Sequence, residues 1–366
     1  MNNNTLSSNL ERIKNAVDDI RENIGGETIE EVAENSNGLA RLDDYFNTNP
    51  TDSANVINNF PYEINIPSNT TSLVNAFSDW PFTKVPKINF GSNVTDIGRI
   101  FSSRASNRGG TMPLSQIDLS GWTFTNITNI SGAFSCLKQI TTIDFSSGQG
   151  TFDKLTNMGS AFDSCRNLQH IYGMEKFNNA KITAAGLLFY YCVQLKSVDL
   201  SYLDLSDCTN FQSICGECTA LQSVTFNKNI IIGSNAMRVS GMFRNCSNLV
   251  SVDLSMFNFS KVPGNSYENN FSDIFSGCSK IQNVVWPSGM GDGYSTSLSQ
   301  YNSTSSINIS ACPNITRDSL LDLFNKLSDL VSAGKKRQRI YLHSSAKSRL
   351  SSEDIAIATV KGWDVQ

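Results

Sequence analysis

A unit of about 27 residues recurs seven times in this chain, and it constrains the fold more than any other feature. In its fullest form the unit reads F-x-x-C-x-x-L-x-x-V-D-L-S-x-φ-x-φ-S, where φ is an apolar residue. The Leu or Ile after the cysteine position aligns the copies at Leu114, Ile140, Leu168, Leu195, Leu221, Leu249 and Ile281. One unit is too short to bury its own apolar face, so the copies must stack on one another.

The second half of each unit predicts a short β-strand. In the copy that begins at Leu249, Val252 and Leu254 share one face of an extended chain, which predicts that both point inward. The position of Val252 is branched in every copy: Ile117, Ile143, Ile171, Val198, Val224, Val252 and Val284. Stacked copies of this strand predict a parallel sheet along one side of the array, with Phe and Cys residues in the turns behind it.

Two stretches resemble a known family. The copy "MFRNCSNLVSVDLSMFNFS" resembles the BspA-type leucine-rich repeat and is similar to repeats of bacterial surface proteins and phage virion proteins. The ending, from "PNITRDSLLDLFNKL" to "LSSEDIAIATVKGWDV", resembles the C-terminal unit of phage tail and fibre proteins with such repeats. The resemblance implies an α/β repeat solenoid: a BspA-like leucine-rich-repeat array with a parallel sheet, an N-terminal helical segment and an α/β C-terminal capping unit.

Composition and periodicity divide the chain into four segments. Residues 1–50 are acidic and predict a helical segment for attachment or oligomerisation, and residues 51–72 predict a polar linker. The repeat array is predicted at 73–312 and the capping unit at 313–366. In a stacked array, a terminal unit with a polar outer side is needed to cover the last repeat.

The capping unit is predicted to contain two helices and two strands. Thr316 is a suitable N-cap for the first helix, and Ser351 or Ser352 for the second. One face of the first helix is predicted to carry Leu320, Phe324, Leu327 and Val331. The basic turn "GKKRQR" leads into the strand "IYLH", and we expect this turn to touch an acidic neighbouring subunit.

The N-terminal segment shows a heptad pattern. Its apolar residues alternate at spacings of four and three: Leu6, Leu10, Ile13, Val17, Ile20 and Ile24. This seam is typical of a coiled coil, and isoleucine at its d-like position favours three strands. We therefore expect a homo-oligomer, preferably a trimer, that attaches to other virion proteins through this segment. The alternative is an amphipathic helix that packs on its own domain.

Candidate catalytic and metal-binding residues are few. The two histidines, His170 and His343, lie far apart in the array, which argues against a catalytic triad and a His-based metal site. Cys215 and Cys218 form a C-x-x-C pair, a spacing that zinc sites also use. However, Cys218 is the ordinary repeat cysteine and Cys215 stands where other copies have Phe, so we interpret both as small buried hydrophobes. We expect no catalytic residue, no metal and no cofactor.

The residue after the branched position is predicted to point outward from the sheet. In the seven copies it is Asp118, Asp144, Tyr172, Asp199, Thr225, Asp253 and Val285, and these residues form the candidate binding face. Asp118 and Asp144 are predicted to be adjacent at parallel-strand spacing. Two hypotheses are open for such acids: they bind a cation together, or they accept hydrogen bonds from the local backbone.

Charge and hydropathy argue against two classes of partner. The net charge of −4 gives no basic patch for nucleic acid. No stretch approaches 18 apolar residues, so we expect no membrane insertion. The chain starts without the apolar core of a secretory signal, and its nine cysteines are an odd number, which favours reduced thiols over a disulfide framework. We therefore expect synthesis in the cytoplasm of a host bacterium.

The leading functional hypothesis is a structural phage virion protein of the tail or head fibre or decoration type. It is expected on the virion surface, where its repeats bind a host cell-surface glycan or protein. The alternative is a bacterial BspA-like surface adhesin or interaction protein. A third hypothesis, a fibre-borne polysaccharide depolymerase, lacks a cleft that would shift the pKa values of an acid pair. We therefore expect a protein that is not an enzyme.

Overall fold

A computed structural model describes most of the repeat region and the whole C-terminal unit. The described residues are 64–78, 85, 87–102, 114–233, 237–264, 271, 273–303 and 305–366. The heptad seam from Leu6 to Ile24 and the helical segment predicted at 1–50 lie outside the described residues. The chain divides after Ala180 into two compact units, called unit 1 and unit 2 below.

Unit 1 contains short parallel strands that come from successive repeats. They are β1 (Ile64–Asn65), β2 (Ile88–Asn89), β3 (Thr142–Asp144) and β4 (His170–Tyr172), and a 3-10 turn follows at Met174–Phe177. Strand β1 pairs with β2, and β3 pairs with β4. The register of β3 and β4 places Asp144 beside Tyr172 on the outward face.

Unit 2 continues the repeats and ends in the capping unit. Its strands are β5 (Ser197–Leu200), β6 (Ser223–Phe226), β7 (Ser251–Asp253), β8 (Asn283–Val285), β9 (Ile307–Ile309), β10 (Gln338–Leu342) and β11 (Trp363–Val365). A 3-10 turn lies at Phe259–Lys261, and the helices are α1 (Arg317–Lys326), α2 (Ser344–Lys347) and α3 (Ser352–Val360). Strands β5 and β6 pair in parallel, as do β7 and β8, and β10 lies between β9 and β11 in a three-stranded parallel sheet.

The strands are parallel as predicted, but they form several small sheets instead of the continuous sheet expected from the repeat. Each repeat strand from β3 to β8 is only three or four residues long. Strand β5 shows why such a strand stops. The Oδ1 atom of Asp199 accepts a hydrogen bond from Ser201 N at 2.9 Å, and this Asx turn bends the chain out of the sheet.

The turns behind the strands alternate two kinds of backbone hydrogen bond. Phe134 N donates to Ala161 O of the following repeat at 2.9 Å, whereas Ala133 N donates to Ile130 O within its own turn at 3.0 Å. One position of the turn adopts φ between 48° and 64° in seven copies: Asn75, Arg99, Gly132, Ser160, Leu187, Ser213 and Gly241. The alternation pairs buried backbone groups in a segment that is neither helix nor strand.

The repeated apolar positions form the core of each unit. In the fullest copy every predicted core residue is buried: Cys246, Leu249, Val252, Leu254, Phe257 and Phe259. The Phe position stacks one repeat on the next. The rings of Phe134 and Phe162 are 5.7 Å apart and 7° from parallel, and those of Phe243 and Phe275 are 5.6 Å apart and 10° from parallel. In these two pairs of repeats the Phe rings therefore stack on one another.

The capping unit has the predicted order of a helix, a strand, a helix and a final strand with Trp, with the short helix α2 added. Thr316 is the N-cap of α1, where its side chain accepts a hydrogen bond from Ser319 N at 3.3 Å. Ser351 and Asp354 form a capping box at the start of α3. Trp363 is fully buried, and its indole N–H donates to Ser328 O at 3.0 Å.

One prediction for the first helix of the cap is wrong. Val331 is not on the buried face of α1, because the helix ends at Lys326 and Val331 is 54% exposed. Leu327 is extended, with ψ 140°, and pairs in parallel with Met290. The Nζ atom of Lys361 donates to three carbonyl oxygens at this helix end, including Leu327 O at 3.1 Å, and so satisfies groups that a longer helix would pair itself.

Basic side chains of the turn before β10 form contacts within unit 2. Lys335 Nζ donates to Asp292 O at 2.6 Å, and Arg337 forms an ion pair with Asp364. The guanidinium of Arg339 lies 4.2 Å from the ring centre of Tyr301. These contacts engage three of the four basic side chains of residues 334–339, and the expected contact with a neighbouring subunit stays a prediction.

Candidate ligand-binding face

The seven predicted face residues point away from the core, and they differ in exposure. Tyr172 is 52% exposed and Val285 is 42% exposed, so both present apolar surface to solvent. Asp118, Asp144, Asp199 and Thr225 are also exposed, whereas Asp253 is half-buried. At this position four repeats therefore carry Asp, and three carry a different residue.

The repeated Asp accepts a hydrogen bond from the local backbone, which is one of the two hypotheses for these acids. Its Oδ1 atom accepts a hydrogen bond from the backbone N–H of the Ser two residues later, at 2.8 or 2.9 Å. The pairs are Asp118–Ser120, Asp144–Ser146, Asp199–Ser201 and Asp253–Ser255. The D-x-S part of the repeat is therefore an Asx turn that fixes the carboxylate at the end of each strand.

The structure brings Asp118 and Asp144 together at one shallow pocket of unit 1. The pocket has a volume of about 430 Å³. The described residues of its lining are Ser115, Gln116, Asp118, Thr142 and Asp144, with Val85 and Ile117 as their apolar part. The pocket thus combines two fixed carboxylates with an amide and two hydroxyl groups, all of which can hydrogen-bond to a ligand.

An aromatic pair lies next to this pocket. The rings of His170 and Tyr172 are 5.9 Å apart and 17° from parallel, so the two side chains stack along β4. Because β3 and β4 are paired in register, Thr142 lies beside His170 and Asp144 beside Tyr172. The pocket and the aromatic pair therefore occupy neighbouring rows of the same outward face.

The face of unit 2 has a different chemistry. Its register pairs Asp199 with Thr225 and Asp253 with Val285. Lys228 Nζ lies 2.7 Å from Asp253 Oδ2. Partial burial acts to raise the pKa of the Asp253 carboxyl, but hydrogen bonds from Lys228 and Ser255 outweigh it and the pKa falls below its ordinary value. Asp253 is therefore a charged and already paired carboxylate.

The thiols are placed for packing. All nine cysteines are free, and all except the half-buried Cys136 are buried. Burial raises the pKa of Cys218 to about 12, and it raises the pKa of Cys215 well above its ordinary value. Such thiols are protonated at neutral pH and are poor nucleophiles and poor metal ligands. The described residues contain no group of three or more His, Cys, Asp and Glu side chains that is arranged to hold a metal ion.

The two histidines have separate environments. His170 is exposed on β4, where it stacks on Tyr172. His343 is the N-cap of α2, and its Nδ1 atom accepts a hydrogen bond from Ser345 N at 3.1 Å. His170 belongs to unit 1 and His343 to unit 2.

Sequence reasoning missed part of this site. Thr142 and His170 stand two residues before Asp144 and Tyr172, so strand alternation already placed them on the outward face. The pairing of Lys228 with Asp253 had no comparable signal, because Lys228 lies after β6 in a different repeat and the contact depends on the path of the connecting turn.

The repeated short parallel strands and the buried Leu and Phe columns define a leucine-rich-repeat protein. A family model described as "BspA type Leucine rich repeat region" matches residues 58–184 and 240–337, in six copies, which is more than half of the chain. The chain therefore belongs to the BspA-type leucine-rich-repeat family. A second model, described as "Mycoplasma protein of unknown function, DUF285", matches residues 156–287.

The remaining comparisons add no relative. No curated protein and no solved structure matches the chain. In the described part of the chain, none of the helices has the length and apolar character needed to cross a membrane. The repeat family itself points to a surface or interaction protein, and it is typically non-enzymatic.

Proposed function

We propose that the chain is a non-catalytic binding protein that recognises a partner on a cell surface through the outward faces of its repeat strands. The proposal rests on one observation: more buried and more exposed side chains alternate along the repeat strands. In β6, for example, Val224 and Phe226 are buried while Ser223 and Thr225 are exposed. Substitutions on the exposed side can change recognition without changing the core.

Differences between copies support the same proposal. The Asx turn holds the strand end in four repeats, whereas β4 carries Tyr172 and β8 carries Val285 at that position. Tyr172 is a candidate contact residue, because tyrosine is enriched among the residues that contribute most to binding energy. Val285 is an exposed apolar side chain at the same position of its own strand.

Binding of the labelled full chain to bacterial cells, measured by flow cytometry, tests the proposal. Replacement of Tyr172, Thr225 and Val285 by Ser changes only outward positions and is expected to reduce cell binding at least tenfold. A matched control replaces the exposed Lys154 and Asp207 by Ser, which leaves the net charge and the strand faces unchanged. Equal loss in both variants, or no loss in the face variant, contradicts the proposal.

Two biological settings are proposed for this activity. The bacterial setting is a BspA-like surface adhesin or interaction protein, and the family match supports it. The phage setting is a tail or head fibre or decoration protein on the virion surface. It is supported by the order of α1, β10, α3 and β11 in the cap, which the resemblance to phage fibre proteins implied. Mass spectrometry and immunogold microscopy of purified virions and of cell envelopes distinguish the two.

The heptad seam supports a proposal about assembly. We propose that the segment from Leu6 to Ile24 joins three copies of the chain and attaches them to other virion proteins. Sedimentation of the full chain is expected to give the mass of a trimer, and Ile13→Asp together with Ile20→Asp is expected to give a monomer, because charges in a seam are costly. A monomeric parent chain contradicts the trimer and leaves the alternative of a helix packed on its own domain.

A further inference from the structure

We infer that the ligand of the unit 1 face is an uncharged saccharide, bound in the pocket between residues 115–118 and β3 with one of its rings on Tyr172. The inference rests on the proposed binding function and names the ligand class of the pocket in unit 1. It follows from the size of the pocket, the hydrogen-bonding groups of its lining, their charge and the adjacent aromatic pair.

The size of the pocket favours a small ligand or the end of a chain. Its volume of about 430 Å³ lies in the range of small-molecule sites, roughly 300–1,000 Å³. A stable protein partner buries about 800 Å² on each side around a fully buried apolar core. The described lining is instead mainly polar, with Val85 and Ile117 as its apolar residues.

The lining matches the hydrogen-bonding pattern of sugar hydroxyl groups. Each sugar hydroxyl both donates and accepts, and so do the hydroxyls of Ser115 and Thr142 and the amide of Gln116. Asp118 and Asp144 add carboxylates, which form stronger hydrogen bonds than neutral acceptors.

Both carboxylates are oriented before a ligand arrives. Their Oδ1 atoms accept hydrogen bonds from Ser120 N and Ser146 N, each at 2.8 Å. Within the part of the chain that the structure describes, the Oδ2 atoms of Asp118 and Asp144 accept no hydrogen bond. Groups held in this way lose little conformational entropy on binding, which increases affinity.

The charge of the lining selects against acidic sugars. Among the described residues that line the pocket, two are carboxylates and none is Lys or Arg. A sialic acid, a uronic acid or a sugar phosphate would place a third negative charge beside Asp118 and Asp144, and these lining residues offer it no counter-charge. An uncharged sugar avoids that repulsion and still donates hydrogen bonds to both carboxylates.

Tyr172 provides the apolar contact that a sugar ring also needs. The side chain is 52% exposed, and its stacking on His170 fixes the direction of the ring. The register places Tyr172 directly beside Asp144, at a strand spacing of about 4.8 Å. A saccharide that hydrogen-bonds to Asp144 can therefore cover the Tyr172 ring with the C–H groups of its own ring and remove apolar surface from water.

Isothermal titration calorimetry of the full chain tests the inference. The probes are neutral oligosaccharides of glucose, galactose, mannose and N-acetylglucosamine, with sialylated and phosphorylated glycans as charged counterparts. We expect saturable binding of at least one neutral probe and at least tenfold weaker binding of its charged counterpart. Tyr172→Ala is expected to weaken the neutral probe at least tenfold and Tyr172→Phe less than threefold, because the ring is retained.

Two further variants separate the pocket from other exposed carboxylates. Asp144→Asn keeps the acceptor of the Asx turn and is expected to weaken binding several-fold with an unchanged circular dichroism spectrum. Asp207→Asn makes the same change of charge at an exposed position outside the strand faces and is expected to leave the affinity unchanged. A Tyr172→Ala chain that binds as tightly as the parent overturns the inference, and so does calcium binding by the pocket without any saccharide binding.

The outcome also distinguishes this inference from the proposed function. One outcome is that the variant with Ser at positions 172, 225 and 285 loses binding to cells while no neutral probe binds the parent chain. In that case the saccharide assignment is wrong and the binding function stands. If the chain binds neither cells nor saccharides, both are wrong.

Discussion

The thiol of Cys246 donates a hydrogen bond to the backbone carbonyl oxygen of Cys215, one repeat earlier, at 3.0 Å. The same bond recurs at the repeat cysteine in other copies, at 2.9 Å each: Cys165 to Phe134 O, Cys218 to Phe189 O and Cys278 to Phe243 O. Cysteine suits this position because it is small and apolar and still carries a weak donor for a buried carbonyl group. The repeated cysteine is therefore a packing residue that also links one repeat to the next.

The burial of these thiols predicts their reactivity. Burial raises the pKa of Cys218 to about 12, so its reactive thiolate is scarce at about pH 8, and the buried side chain excludes the reagent. We expect iodoacetamide to label the half-buried Cys136 in the folded chain and the other cysteines only after unfolding. Peptide mass spectrometry at successive times measures this. Cys136→Ser should remove the early label, and early labelling of Cys218 would contradict the prediction.

The hydrogen bond of Cys246 predicts an order of stability between two variants. Cys246→Ala removes the donor and leaves the buried carbonyl of Cys215 unpaired, which costs about 1–3 kcal/mol. Cys246→Ser keeps a donor of similar size and should cost less than the Ala variant. Urea unfolding followed by circular dichroism gives both free energies. An Ala variant as stable as the Ser variant would show that the thiol contributes through its volume alone.

The Asx turn at Asp199 predicts that the acceptor oxygen matters more than the charge. Asp199→Ala removes the hydrogen bond from Ser201 N and is expected to lower the free energy of unfolding by about 0.5–1.5 kcal/mol. Asp199→Asn retains an oxygen at the same place and is expected to be nearly neutral. The comparison uses the same urea unfolding experiment. Equal losses in the two variants would assign the stabilisation to the negative charge.

The repeat period was sufficient to predict the core columns, because each buried position of a stacked array recurs at a fixed interval. It therefore identified Leu249, Val252 and Leu254 as inward residues, and all three are buried. The period also placed Asp144 and Tyr172 on the outward face, where the structure has them exposed.

The repeat pattern does not predict features that depend on backbone conformation or on how two repeats meet. Leu187 adopts φ 58°, a left-handed conformation that Leu rarely takes, so no propensity indicated it. The pocket needs Ser115 and Thr142 from different repeats at one place, and sequence spacing does not give the distance between them. The helical spacing of apolar residues also continues past Lys326 to Val331, so the predicted helix was too long. This spacing does not show that Lys361 donates hydrogen bonds to the carbonyl groups at the helix end.

Replacement by alanine is expected to lower the free energy of unfolding by different amounts at two glycines with positive φ. Gly132 has φ 64°, and a Cβ there would lie 3.0 Å from Arg99 Cγ, which belongs to a flexible side chain. Gly132→Ala should therefore cost about 1–2 kcal/mol, the penalty of a left-handed residue with a Cβ atom.

The second glycine has a steric cost in addition. A Cβ at Gly173, with φ 77°, would lie 2.3 Å from Ser146 N and 2.7 Å from the carbonyl carbon of Phe145, both of which are backbone atoms. Gly173→Ala is therefore expected to be clearly more destabilising than Gly132→Ala. Thermal unfolding of the two variants beside the parent chain measures the difference, and equal melting temperatures would contradict the close approach at Gly173.

The capping unit is expected to lose stability in acid through one carboxylate. Arg317 Nε donates to Asp354 Oδ2 at 2.8 Å and Nη2 donates to Oδ1 at 2.6 Å, which joins the starts of α1 and α3. The hydrogen bond from Arg317, together with that from Ser351 N, holds the pKa of Asp354 below its ordinary value of 3.8. Because the folded pKa is the lower one, the stabilisation is fully present above about pH 4 and is lost as the pH falls through the folded pKa.

Thermal unfolding between about pH 5 and pH 2.5 measures this loss. Asp354→Asn is expected to melt at a lower temperature than the parent at pH 5 and to depend less on pH, so that the two melting curves converge in acid. The exposed Asp318 of α1 provides the matched control, and Asp318→Asn should keep the parent's dependence on pH. If Asp354→Asn keeps the full acid dependence of the parent, the loss comes from another carboxylate. The pair of Asp364 with Arg337 is then the next to test, because the hydrogen bond from Arg337 also lowers the pKa of Asp364.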